Sequence, residues 1–110
     1  MPHYAVIFVS RHRSDLTPPQ LADYERAGKR MLELARAQPG FLRVESVRDE
    51  QGNGITVSYW ESLEAIAQWK QHAEHREAQE KGRHAWYGGY DVQVCRVERE
   101  YSSATARVTS

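Results

Sequence analysis

Residues 4–10 read YAVIFVS, apolar at almost every position and rich in β-branched and aromatic side chains. A half-buried strand alternates apolar and polar residues, whereas an unbroken apolar run marks a strand covered on both faces. This run constrains the fold more than any other feature, because its sheet needs a covering layer on each side. A chain of 110 residues has little material for two such layers. The segment YDVQVCRVEREY, residues 90–101, repeats the demand: Val92 and Val94 lie on one face, and Cys95, Val97 and Tyr101 on the other.

The remaining elements follow from local chemistry. Thr17 followed by Pro18 and Pro19 is a helix entry, with a capping hydroxyl and then proline in the first turn. Leu21, Tyr24, Ala27/Gly28, Met31 and Leu34/Ala35 give that helix an apolar face, predicting a helix from Pro18 to Ala37 that Pro39 terminates. FLRVESVRD, 41–49, and ITVSYW, 55–60, read as two strands of a hairpin around the turn residues DEQGNG. Ser62 is placed to cap a second helix starting at Leu63, and Gly88 and Gly89 precede a last strand over 90–101. The order βαββαβ is the ferredoxin-like α+β arrangement, an antiparallel sheet with both helices on one side. Residues 1–101 form one domain, and the small polar residues 102–110 read as a flexible tail.

Two helices on one side cannot cover Val6, Phe8, Val44, Val57, Tyr59 and Val94 together. The surplus predicts a homodimer in which a second copy covers the other face. Fifteen basic and fifteen acidic residues cancel, and no basic block stands out, which argues against a nucleic-acid partner. No run is long enough to span a membrane. Cys95 is the only cysteine, so there is no intramolecular disulfide, and a cytoplasmic, reducing setting is expected.

WKQHAEHREAQEKGRHAWY, residues 69–87, holds three of the five histidines and two of the three tryptophans. A zinc helix would read H-E-x-x-H. Here His72 and His75 are three apart, His84 would fall on the opposite side, and nothing in the sequence places His3 or His12 nearby, so no metal site is expected. On one continuous helix, Trp69, His72, His75, Arg76, Gln79, Arg83 and Trp86 share a sector of about 120°. Rings, hydrogen-bonding groups and cations in one sector suit the wall of a partly apolar cavity for a small molecule. The competing possibility is that the tryptophans are core and the His and Arg residues are rim; Gly82 is a potential break in the helix. Tyr59, Trp60, Tyr87 and Tyr90 add aromatics near the element ends, and Arg96, Glu98, Arg99 and Glu100 alternate in sign as an exposed or interfacial ladder.

YWESLEAIAQWKQHAEH, residues 59–75, resembles the central segment of the antibiotic biosynthesis monooxygenase superfamily, where a strand ending in aromatic-Trp-Glu-Ser runs into a helix carrying a Trp and then a His. HREAQEKGRHAWYGGYDVQVCRVEREY is similar to an uncharacterised branch of it. The resemblance implies a dimeric α+β barrel of two ferredoxin-like sheets packed face to face. It implies relatives among cofactor-independent oxygenases of polyketide quinone formation and among heme-degrading enzymes. The heme branch carries an axial His ten residues after the Trp and an Asn at the end of the first strand. Here Gln79 and Ser10 stand at those positions, so the resemblance points away from heme and toward no cofactor. It implies His75 as a candidate catalytic base for an aromatic or polyketide-like substrate. Arg76 or Arg83 would stabilise its anion, and Trp69, His72, Gln79, Trp86 and Tyr87 would shape the pocket. The alternatives are the same barrel holding a ligand without chemistry and, less favoured, a heme-binding or heme-degrading protein.

Overall fold

The computed structural model describes residues 3–12, 15, 17–79 and 87–103. The elements run β1 (His3–His12), α1 (Pro18–Arg36), β2 (Phe41–Arg48), β3 (Gly54–Trp60), α2 (Leu63–Gln79) and β4 (Tyr87–Val97). The four strands form one antiparallel sheet in the order β2-β3-β1-β4, the ferredoxin-like topology.

Helix α1 begins where its cap chemistry dictates. The Thr17 side chain accepts from the Gln20 backbone N–H at 3.3 Å, and the Gln20 side chain accepts from the Thr17 N–H at 2.9 Å, a reciprocal capping box with Pro18 behind it. Its buried stripe is Ala27, Met31 and Ala35, with Leu21, Gly28 and Leu34 half-buried beside it. Helix α2 is capped by Ser62, whose hydroxyl accepts from the Ala65 N–H at 3.0 Å, and it buries Ala65 and Ile66.

Register assigns the two sheet faces. Partners in a ladder share a face, so Trp60 on the helix side fixes the others. Tyr4, Val6, Phe8 and Ser10 of β1 join it there, with Ser58 and Thr56 of β3 and Tyr90, Val92 and Val94 of β4. Ala5, Ile7 and Val9 face the opposite, open side, with Ile55, Val57, Tyr59, Cys95 and Val97. The two-sided burial expected of YAVIFVS is thereby divided: even-numbered residues take the helix side, where Tyr4 and Val6 pack on the core, and odd-numbered ones take the other. On β2, Val44 and Ser46 take the helix side and Arg43, Glu45 and Val47 the open side.

The last strand differs from the sequence expectation of 90–101. It starts earlier because Gly88 and Gly89 lie inside it: Gly89 pairs with Arg11 and Tyr87 with His12, and the register shift between them makes Gly88 the extra residue of a bulge. It ends earlier, at Val97, which pairs with His3, the first described residue of β1; among the described residues the positions after Val97 have no strand partner.

The core centres on Trp60, which has no exposed surface, with Ala35, Ala65 and Ile66 around it and Tyr4, Val6, Phe41 and Trp69 packed against them. The loops that lead into it are held close. Gly40 has φ +83°, its carbonyl accepts from the Glu61 N–H at 2.8 Å, and a Cβ there would lie 2.6 Å from Ala65 Cβ. The β2–β3 turn is closed by Asp49, whose carboxylate accepts from the Asn53 backbone at 2.8 Å and the Asn53 amide at 3.2 Å. Desolvation raises the Asp49 pKa, but it is outweighed by those bonds and by the Gln51 and Gly52 N–H groups together, which hold the carboxyl below its ordinary value.

Gly40→Ala is expected to cost about 1–3 kcal/mol in denaturant unfolding, from positive φ and the clash together. Ala65→Gly in the same chain should recover the clash part, and no recovery would place the cost in the backbone alone. For Asp49 the folded pKa lies below the unfolded one. Its contribution to the turn is therefore present above the unfolded pKa and lost as pH falls through the folded value. An NMR titration of the Asp49 carboxyl should show a midpoint below the ordinary 3.8.

Candidate functional site

The helix side of the sheet carries a run of stacked rings. The Phe41 ring meets Trp60 edge-on at 5.5 Å and 85°. Trp60 and Trp69 stack with centroids 6.1 Å apart and planes 22° apart. Trp69 stacks on His72 at 5.8 Å and 30°. The spacing of Trp69 and His72 on α2 produces this pair, since residues three apart are neighbours on one helix face. Trp60 is locked below by its own indole N–H, which donates to Ser58 Oγ at 2.9 Å. The ladder therefore runs from an immobile core ring outward to an imidazole.

His72 is the chemically unsatisfied member. Its Nε2 is buried and has no hydrogen-bond partner among the described residues. A buried polar atom left unpaired costs about 1–3 kcal/mol, so such a group in a folded protein calls for an explanation. Arg43 Nε on the open side also lacks a hydrogen bond, but it lies 3.7 Å from Glu45 Oε1, which supplies its electrostatic partner. No such ion pair is found for His72 among the described residues.

Beyond the ring ladder, β4 contributes an apolar strip on the same side. Tyr90, Val92 and Val94 each remain about half exposed there, and Phe8 packs on Tyr90 with ring centroids 5.4 Å apart. Ser10, at the end of the same row of β1, is buried. Hydroxyls of Ser46 and Thr56, 2.8 Å apart, continue the helix-side floor toward β2. The surface so assembled is apolar and aromatic, with a few neutral hydrogen-bonding groups and one imidazole. It suits a flat, largely apolar molecule bearing a hydroxyl or carbonyl.

The structure brings together two of the sequence-predicted site residues, Trp69 and His72. His75, Arg76 and Gln79 lie further along α2, and their side chains fall outside the described residues. Arg83 and Trp86 lie outside the described residues altogether. Tyr87 opens β4, opposite His12. Trp60 and the strip Tyr90, Val92, Val94 were not picked out as parts of one site by sequence reasoning. The parity of Trp60 with Tyr4 and Val94 was the available signal, but it needs the register to be known. Among the described residues, no group of three His, Cys, Asp or Glu side chains could hold a metal ion. No helix among them is long and apolar enough to cross a membrane. The donors expected of a heme site do not fit either, since Ser10 is a buried hydroxyl at the end of β1 and Gln79 is an amide near the end of α2.

A model of the antibiotic biosynthesis monooxygenase family matches residues 7–81. A protein of Bacillus subtilis (strain 168), described as uncharacterized protein YqjZ, is 50% identical over 99 residues, covering 90% of this chain and 82% of that one. Among solved structures, a mutant of SnoaB, a cofactor-independent oxygenase from Streptomyces nogalater, superposes with a TM-score of 0.68 at 14% identity, covering 93% of this chain and 98% of that chain. A dimeric ferredoxin-like protein of unknown function from Thermobifida fusca superposes with a TM-score of 0.65 at 15% identity, covering 87% and 92%. At such identities the structural likeness speaks for the fold.

Replacing the unpaired imidazole by a ring of similar shape removes a cost without opening a cavity. His72→Phe is expected to raise stability by about 1 kcal/mol in thermal or denaturant unfolding. A loss of stability would mean that His72 is held for structural reasons.

Proposed function

The chain belongs to the antibiotic biosynthesis monooxygenase family, and from that premise we propose that it is a cofactor-independent monooxygenase acting on a small aromatic or polyketide-like molecule. The substrate lies on the helix side of the sheet, against Trp69 and the Tyr90–Val92–Val94 strip. The observation that carries this reading is the buried Nε2 of His72, which has no hydrogen-bond partner among the described residues, on a ring stacked against Trp69.

The chemistry asks little of the protein. A phenol or an activated methylene loses a proton to an imidazole, and the resulting enolate is electron-rich enough to reduce dioxygen. Oxidation of a ring CH2 to C=O by O2 places one oxygen atom in the product and the other in water, with dioxygen the only oxidant. The protein binds the ring by stacking, accepts and returns a proton, and keeps water away from the anion. We assign the proton transfer to His72, one turn before the sequence-based candidate His75. Arg76 and Arg83 remain the candidate cations for the enolate.

The same premise supports a homodimer. The open side presents Ala5, Ile7, Val9, Val57, Cys95 and Val97, and Val47 on it is 69% exposed. A second sheet packed face to face on it, about 10 Å away, would bury this surface. The Thermobifida fusca relative is described as dimeric.

Substrate-dependent oxygen uptake with anthrone- and naphthol-type compounds tests the activity. His72→Ala is expected to lower the rate about 100-fold or more, while His75→Ala leaves it largely intact; the reverse pattern would move the base to His75. Quenching of tryptophan fluorescence by these compounds without oxygen uptake would make the protein a binding module instead. In sedimentation, Val57→Asp should convert a dimer to monomer.

A further inference from the structure

Two features at opposite ends of the open side have no part in the site above. At one end, the residues after β4 turn back across the sheet. Glu100 Oε2 lies 3.4 Å from His3 Nε2, and its Oε1 lies 3.6 Å from Arg43 Nη2. Both partners stand on open-side positions, and the Arg43 guanidinium lies 4.0 Å over the Tyr59 ring. Glu100 thus spans from β1 to β2 and holds the chain over that end of the face. The next residue, Tyr101, is 84% exposed. A large ring is held in water beside a fixed anchor.

At the other end, Val9, Ile55 and Val47 form a single row across β1, β3 and β2 by register. With Arg11, Arg48, Asp49 and Asn53 they line a groove of about 400 Å³. Its floor is apolar and its rim polar, which suits a tyrosine: the ring buries against valine and isoleucine, and the hydroxyl reaches hydrogen-bonding groups. Tyr101 does not reach the groove of its own chain. Its anchor meets β1 at His3, and the groove meets β1 at Val9. The six residue steps of strand from one to the other span about 20 Å.

We propose that Tyr101 of one copy fills the Val9–Val47–Ile55 groove of a second copy, so that each partner supplies the ring that completes the other's surface. This rests on the dimer reading above. A two-fold axis lying between the faces and across the strands reverses strand direction. It therefore sets the Glu100 end of one sheet over the hairpin end of the other. Symmetry makes the contact twice, as an isologous interface requires.

The test uses full-length chains in which Cys95→Ser removes the native thiol. One chain carries Tyr101→Cys and another Val47→Cys; they are mixed, allowed to exchange, and oxidised with copper phenanthroline. The expected result is a disulfide-linked dimer in the mixture and little in either chain alone, because a disulfide needs Cα atoms within about 7 Å. Self-linking of the Tyr101→Cys chain would show that the two tyrosines meet each other and would overturn the proposal. So would no linking in a mixture that sediments as dimer, and that outcome leaves the dimer itself standing. A monomer at every concentration would overturn both. Independently, Tyr101→Ala should weaken dimerisation tenfold or more with the fold unchanged by circular dichroism, and unaltered dimerisation would count against the assignment.

Discussion

The packing of Trp60 is the constraint on which the rest of the structure depends. It closes β3, has no exposed surface, and spends its indole N–H on Ser58 at 2.9 Å, so its one polar atom is satisfied inside the core. Phe41 from β2 meets its edge and Trp69 from α2 stacks on it, while Ala35 and Ala65 are small enough to let both helices approach. A single ring thus ties two strands and two helices together. It also decides which side of the sheet is the inside, because every ladder partner takes its face from it.

From that decision come two surfaces of different character. The helix side continues outward from the core as stacked rings and ends at an imidazole whose Nε2 has no hydrogen-bond partner among the described residues, and β4 carries an apolar strip on the same side of the sheet. The open side is not covered by either described helix; it has valines and isoleucines in the middle and charges at both ends, where Glu100 joins His3 and Arg43 and where Arg11 lies 4.0 Å from Asp91. A chain of this size cannot build a layer on both sides of a four-stranded sheet. The layer it does build frames the candidate site. The one it lacks is the ground for a second copy, and each role follows from the parity of a residue relative to Trp60.

Much of the fold was legible in the residues. Thr17-Pro18-Pro19 marked the start of α1 because a capping hydroxyl and a proline without an N–H suit a helix's first turn and little else. The Asp49–Asn53 turn and the Ser62 cap were equally local. What was misjudged was the last strand. Gly88 and Gly89 looked like breakers and turned out to form a bulge, and the alternation through Tyr101 looked like strand although the described pairing with β1 stops at Val97. Strand ends depend on what lies alongside, and a one-dimensional pattern does not contain that. The site was legible in part: Trp69 and His72 were found because helix spacing alone makes them neighbours. Tyr87, expected among the aromatics that shape the pocket, is the first residue of β4.

By itself, then, the sequence determined the order of elements, the caps and turn that bound several of them, and the need for cover on two sides of one strand. These follow from short-range sterics, hydrogen bonding and hydrophobic periodicity, which act within a few residues. Only the tertiary structure decided which side each strand residue serves, that Trp60 lies beneath Trp69, and that His72 Nε2 is buried with no hydrogen-bond partner among the described residues. The pleat repeats every two residues, so a slip of one would exchange the two faces completely. Pairing across β1, β3 and β4, set by contacts far apart in the chain, chose between them.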